Sequence, residues 1–200
     1  MTKSTEWREQ IGDGLTQLQQ RSVPRYHATE QFRVYSSTLV PGLLQTEQYA
    51  AAVLRNSARF HEVAQGDSAE AARARVERSR VIHAPGRLAD FVIEESVLRC
   101  QIADPDVMTA QLGYVMTADA LAGVSIGIIP STAHERVWPR ETFHIFDDTI
   151  VTVELVSSSV EVIQPSEIDL YVKAYGELRN LAVYGTQARE LIVGAIESLH

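Results

Sequence analysis

Three short stretches decide the fold: Leu88-Ala-Asp-Phe-Val-Ile93 running into Glu94-Glu95, then Asp104-Pro105, then Val124-Ser-Ile-Gly-Ile-Ile129 stopped by Pro130. The first and last are apolar, short and closed by turn residues, as buried strands are. Between them Asp104 and Pro105 form a helix start, Asp as N-cap and Pro at the first helical position. Val107, Met108, Leu112, Val115 and Met116 follow at helical spacing. Strand, helix, strand in this order is a βαβ unit, so the two strands are expected to run parallel.

Working outward, Phe143–Phe146 and Ile150–Val156 flank Asp147-Asp148-Thr149, a hairpin signal. Val160–Ile163 can add a further strand. Gln164-Pro165-Ser166 opens a helix with Ile168, Tyr171, Tyr175, Leu178 and Ala182 on one face, and Ser166 with Asp169 resembles a capping box. Gly185-Thr186 starts a last helix whose Ala188, Leu191, Ile192, Ala195, Ile196 and Leu199 suit either the core or a dimer seam. On the N-terminal side, Trp7, Ile11, Leu15 and Leu18 predict a helix over 4–21 with Ser4 as N-cap, weakened by Gly12 and Gly14. Residues 32–40 read as extended, and Pro41-Gly42 breaks the chain. Thr46 then caps a helix bearing Tyr49, Ala50, Val53 and Leu54, and an Ala- and Arg-rich helix runs over 68–82. The expected fold is α+β (mixed α/β): N-terminal helices, a small mixed sheet with one βαβ unit and a hairpin, then C-terminal helices. The expected division is an N-terminal helical region over 1–84 and a mixed sheet with flanking helices over 85–200, packed as one compact domain.

Composition narrows the function classes. The 200 residues are 45% apolar and 22% charged, ordinary for a globular chain. Eighteen Lys and Arg against 26 Asp and Glu leave a net charge of −8. That balance argues against nucleic acid or an anionic membrane as a direct partner. There is one cysteine, Cys100, so no intrachain disulfide forms. No apolar run reaches the ~18 residues of a membrane span, and Met1–Gln10 lacks a signal-peptide core. A cytoplasmic protein is the expectation.

Most motif classes are absent. None of the six histidines pairs with another at helical spacing, so no metal site is expected. There is no phosphate-binding glycine loop and no nucleophile elbow, and no cofactor is implied. What remains are scattered candidates. Glu94 and Glu95 close a strand of the βαβ unit, at the carboxyl end where open sheets place sites. There a buried carboxylate would suit acid/base work, but neighbours on a strand point opposite ways, and one solvated and one arginine-paired Glu is the stronger explanation. Arg73, Arg75, Arg78 and Arg80 share a helix with Glu70 and Glu77, either an anion site or a solvated face of ion pairs. Trp138 lies between Arg136 and Arg140 on a loop, suited to ligand or partner contact or to covering a sheet edge. Glu154 interrupts the strand alternation and is explained by solvent exposure.

Pro41-Gly42-Leu43-Leu44-Gln45-Thr46, followed by Tyr49-Ala50 and Val53-Leu54, resembles the hallmark of the C-terminal domain of actinobacterial Xre-type helix-turn-helix regulators. Some of those regulators are antitoxin-like and work with a small partner protein. Arg75-Val76-Glu77-Arg78, the Phe91–Arg99 stretch, Val124–Pro130 and Tyr171 with Tyr175 follow in the family's order. The resemblance implies a ligand- or partner-binding regulatory module, here without its own DNA-reading helix-turn-helix, which in that family precedes the first helix. The partner it implies is a small molecule or a small protein, with no direct nucleic-acid contact and room for a homodimer. The residues expected to bind are Gln45, Thr46, Tyr49, Arg78, Glu95, Arg99 and Trp138. The alternative is a stand-alone enzyme of a biosynthetic pathway, with Glu94, Glu95 and Tyr49 as catalytic candidates and Arg78 or Arg99 holding an anionic substrate. Gln45 and Thr46 at a helix N-terminus, with Tyr49 a turn along, suit a pocket rim. Equally, the turn, Leu43, Leu44 and a Thr cap can simply close the core.

Overall fold

In the computed structural model, residues 2–11, 14–62, 67–134 and 140–199 are described. Among them a seven-stranded mixed sheet is sandwiched between helices. The chain order is β1 (Lys3–Glu6), α1 (Trp7–Ile11), α2 (Leu15–Ala28), β2 (Gln31–Ser36), α3 (Glu47–Phe60) and α4 (Ser68–Ser79). It continues with β3 (Leu88–Glu94), α5 (Glu95–Arg99), α6 (Pro105–Ala118), β4 (Val124–Ile129), β5 (Phe143–Phe146), β6 (Ile150–Glu154), β7 (Ser158–Val162), α7 (Pro165–Leu181) and α8 (Gly185–Glu197). The strand order is β1-β7-β6-β5-β2-β3-β4. The α+β class holds, and so does the βαβ unit: β3 and β4 are parallel, with Phe91 beside Ile126 and Ile93 beside Ile128. β5 and β6 form the expected hairpin. Asp147 and Asp148 both take positive φ, 49° and 53°, at the centre of a turn in which the Thr149 N–H donates to the Phe146 carbonyl at 2.9 Å, within a three-residue loop between the paired Phe146 and Ile150.

Several expectations are corrected. The helix predicted over 4–21 begins only at Trp7, because Lys3–Glu6 pairs with β7 instead, Ser4 beside Val160. Ser4 is therefore not a cap: its hydroxyl meets that of Ser158 at 3.1 Å. A four-residue strand contributes little helix propensity, and it satisfies the open backbone edge of β7. The second helix then runs on to Ala28 through Pro24, past the predicted end. The extended segment ends at Ser36 rather than residue 40. The Arg-rich helix stops at Ser79, and Arg80–His83 tightens into a 3-10 turn. The helix at Pro165 takes Gln164 as N-cap with no side-chain cap bond, so Ser166 and Asp169 make no capping box. Residues 1–84 supply two strands as well as helices: β2 lies between β5 and β3 in mid-sheet.

One sheet face carries Phe32, Val34, Phe91, Ile93, Ile126 and Ile128. It packs against Leu43, Leu44, Tyr49, Leu98, Met108, Leu112 and Ile192. The other carries Tyr35, Val92, Phe143, Ile145, Val151 and Val153 under Tyr175 and Leu178 of α7. Alanines 50, 51, 58, 71 and 72 let α3 and α4 approach closely beside Ile11, Leu15 and Leu54. In α8, Ala188, Ile192 and Ala195 are buried in this core. On β4, Gly127 leaves the space that the Tyr184 ring fills: a β-carbon there would lie 2.6 Å from it.

Candidate functional site

The hallmark loop is a wired piece of structure. After β2 the chain turns through Val40-Pro41 into a 3-10 turn at Gly42–Leu44 that buries Leu43 and Leu44. Gln45 is buried and donates from Nε2 to the Val40 carbonyl at 2.7 Å. Thr46 is the N-cap of α3, but it makes no side-chain cap. Its N–H and hydroxyl both donate to Oε1 of Gln111, at 2.8 and 3.2 Å, and Gln111 Nε2 donates to the Leu44 carbonyl at 2.7 Å. Tyr49 is fully buried, and its hydroxyl accepts from the Val40 N–H at 3.3 Å. Burial pushes that phenol up to about 12. Tyr49 is a tether within the core, and the proton donor expected at a pocket rim is not aimed at solvent.

The helix of arginines divides by face. Arg73 and Arg80 are exposed, with Glu47 at 3.9 Å and Glu77 at 3.0 Å respectively, the solvated ion pairs expected of such a helix. Arg75 and Arg78, one turn apart, point inward. Arg78 is 8% exposed, and its guanidinium lies 4.4 Å above the Tyr26 ring, a cation–π stack. Tyr26 in turn meets Phe146 of β5 edge-on at 5.4 Å. Both arginines converge on one oxygen, Gln19 Oε1: Arg75 Nε donates at 3.1 Å and Arg78 Nη1 at 3.0 Å. Arg75 Nη1 also donates to Gln45 Oε1 at 2.9 Å, which couples the hallmark loop to α4. Arg78 Nε is buried and has no acceptor among the described residues.

Opposite this pair lies the sheet. His144 stands between Val34 and Thr152 in the cross-strand register, on the same face as Phe146. It is half-buried, and burial holds its imidazole below the ordinary value. Arg78 and Arg75 push the same way, while Glu154 opposes them. Arg75 is lowered to about 10, first by burial and then by the neighbouring Arg78 charge. The result is a polar cluster in which Gln19 of α2, Gln45 of the hallmark loop and Arg75 and Arg78 of α4 meet beside Gly42, over the sheet face that carries His144. Gln19 carried no signal as a single residue, Gln111 entered only with Leu112 as part of the resemblance, and the one hint of His144 was its place inside the apolar run Phe143–Phe146.

The acidic pair is used differently. Glu94 is 5% exposed, and Tyr35 Oη donates to it at 2.9 Å. Tyr35 Oη also accepts from the Arg140 N–H at 3.3 Å. Glu95 accepts from the Ser131 N–H at 2.8 Å and the Ser131 hydroxyl at 2.9 Å, and pairs with Arg99 at 3.3 Å. Arg99 reaches on to the Ser198 hydroxyl at 3.2 Å. Glu95 thus joins the ends of β3 and β4 to α8. The Ser131 N–H, ahead of the hydroxyl and Arg99, holds its carboxyl below 4.5 against the opposing effect of burial. A carboxylate lowered on folding contributes stability above its unfolded value and loses it as pH falls through the folded one. The stability gap between wild type and Glu95→Gln is therefore expected to be full at pH 7 and to shrink below about pH 4.5. Urea titrations at several pH values check this; a gap that stays constant down to about pH 3 contradicts it.

A second concavity of about 410 Å³ lies between α3 and the turn before α6, over Ala51, Ala52, Ile102 and Val107, with Glu47, Arg55 and Asp104 at its rim. Trp138 lies outside the described residues. Among the described residues no group of three or more His, Cys, Asp or Glu is placed to hold a metal ion. Among them, too, no helix is long and apolar enough to cross a membrane.

The chain belongs to the family described as Domain of unknown function (DUF5753), whose model matches residues 26–193. That span includes Gln45, Arg75, Arg78 and His144, while Gln19 precedes it. No curated protein matches the chain. Among solved structures the chain is similar to NucT from Helicobacter pylori, with TM-score 0.49 and 11% identity over 92% of this chain and 99% of that one. It is also similar to Nuc from Salmonella typhimurium, a phospholipase D family member, with TM-score 0.47 and 10% identity over 92% and 97% of the two chains. TrmBL2, an archaeal chromatin protein, gives TM-score 0.44 and 7% identity over 92% of this chain and 54% of that one.

Proposed function

We propose that this chain is a ligand- or partner-binding regulatory module, resembling the C-terminal domain of antitoxin-like transcriptional regulators, and that it does not read DNA itself. One observation carries the reading: among the described residues, two inward-facing arginines meet only neutral amide and carbonyl oxygens within hydrogen-bond reach. Burying cations without a matching anion is costly, and a stability role alone does not require it. Such a charge suits an occupant that arrives from outside. The arginine cluster ties α2, α4 and the hallmark loop together and reaches β5 through Tyr26, so an occupant would bias their relative positions, and an attached unit would sense that as a population shift.

The enzyme reading draws less from the geometry. Both oxygens of Glu95 are engaged by Ser131 and Arg99, and the Tyr49 hydroxyl faces the Val40 backbone. Native mass spectrometry of the protein purified from its host tests the module reading. Extra mass from a small molecule or a small protein supports it; a bare monomer or dimer from every preparation counts against it. The chain alone is expected to give no salt-sensitive, sequence-specific band in a mobility-shift assay, and such a band would overturn that part.

A further inference from the structure

We infer that the Arg75–Arg78 pair, over the sheet face that carries His144, binds an oxyanion, the phosphate or carboxylate head of a small molecule, on the donors that Gln19 and Gln45 leave open. The inference rests on the binding-module reading and gives it a ligand chemistry.

The first support is donor accounting. Two guanidiniums carry five N–H donors each. Among the described residues only Arg75 Nε and Nη1 and Arg78 Nη1 are committed, and all go to the oxygens of Gln19 and Gln45. Arg78 Nε is buried and unpartnered, on a side chain more than nine-tenths buried. Arginine's planar fork matches carboxylate and phosphate oxygens in pairs.

The second support is shape. The two guanidiniums are held in convergence by a shared acceptor, Gln19 Oε1, and that of Arg78 lies 4.4 Å over the Tyr26 ring. That is a preorganised pair rather than two mobile surface cations. Gly42 roofs it: a β-carbon there would stand 4.0 Å from Arg75 Cδ and 4.0 Å from Arg78 Nη2.

The third support is charge. The charged or titratable groups that act here are Arg75 and Arg78 from α4, Tyr26 from α2, His144 from β5 and Glu154 from β6. Glu154 is exposed and forms no ion pair within 4.0 Å among the described residues, so it acts on the arginines only through space. The imidazole is held toward its neutral form by burial and the arginines. An arriving oxyanion would offset that repulsion, and Glu154 would compete with it.

The test is an NMR titration of the isotopically labelled full chain with inorganic phosphate, acetate and chloride, at fixed pH and ionic strength. The Arg78 Nε–H and His144 ring signals are expected to shift saturably with phosphate, acetate or both, and not with chloride. Saturation by phosphate alone assigns a phosphate head, and by acetate alone a carboxylate. Glu154→Gln, an exposed change, is expected to tighten binding about threefold by removing the competing charge. Shifts that chloride reproduces, that fail to saturate, or that Glu154→Gln leaves at the same affinity overturn the inference. A bound protein or neutral ligand in the native mass spectrum with a flat anion titration would remove the oxyanion and leave the module reading standing. Saturable phosphate or acetate binding in a chain that always purifies bare would do the reverse.

Discussion

Gly123→Ala is expected to cost about 3 kcal/mol or more, and to lower the melting temperature by roughly 6–12 °C for a chain of this size. Gly123 ends the turn between α6 and β4 with φ +80°. Its carbonyl accepts from the Ala89 N–H at 2.8 Å, so it lies directly against the start of β3. A β-carbon there would stand 2.2 Å from the Arg87 carbonyl oxygen, a backbone atom that no rotamer change can move. Two costs therefore add: about 1 kcal/mol for a left-handed backbone with a side chain, and the clash, relieved only by parting β3 from β4. Gly86 isolates the first cost, because its φ is +79° and a β-carbon added there would meet nothing within 4 Å. Gly86→Ala is expected to cost only about 1 kcal/mol. Thermal melts of the two variants compare them directly, and equal losses would mean that the Arg87 contact relaxes without penalty.

Gln111→Leu is expected to lower stability by about 2–4 kcal/mol, although leucine nearly conserves the volume. Gln111 is wholly buried on α6, and its amide serves the hallmark loop on either side of Gln45, at the Leu44 carbonyl and the Thr46 N–H. Leucine removes the acceptor of the Thr46 N–H and the donor to the Leu44 carbonyl, and leaves both in a dry site. Each such orphan costs about 1–3 kcal/mol, set against a modest gain from burying an apolar group. Urea unfolding with an unchanged slope would register the loss as stability rather than altered compactness. A loss under about 0.5 kcal/mol would mean that water enters and satisfies the loop. The same loop holds Gln45, which holds Arg75. Anion affinity at the Arg75–Arg78 pair is therefore expected to fall in this variant along with stability.

Local patterns were legible where one physical signal dominated. The β3 and β4 stretches are buried on both faces, so they read as continuous apolar runs, and Asp104-Pro105 announces a helix without tertiary help. The N-terminal strand was not legible. Lys3–Glu6 has no apolar alternation of its own and is a strand only because β7 offers an open edge. The hallmark motif was legible as a unit, but its role was not. Tyr49 and Thr46 read as a pocket rim, and in the fold they tie the loop to the core.

By itself, then, the sequence determined the class of fold, the parallel pair and the hairpin, because periodicity and turn chemistry act between neighbours in the chain. It also determined the acidic balance and the match over residues 26–193 to a domain of unknown function. Only the tertiary structure decided which arginines are solvated and which face inward. Arg73 and Arg75 are two residues apart on one helix, yet one pairs with Glu47 at the surface and the other with Gln19 and Gln45 inside. That difference depends on what packs against each side of α4. His144 lies on the sheet face beneath these arginines because β5 pairs with β2, more than 100 residues away in the chain, a distance over which no local pattern carries information.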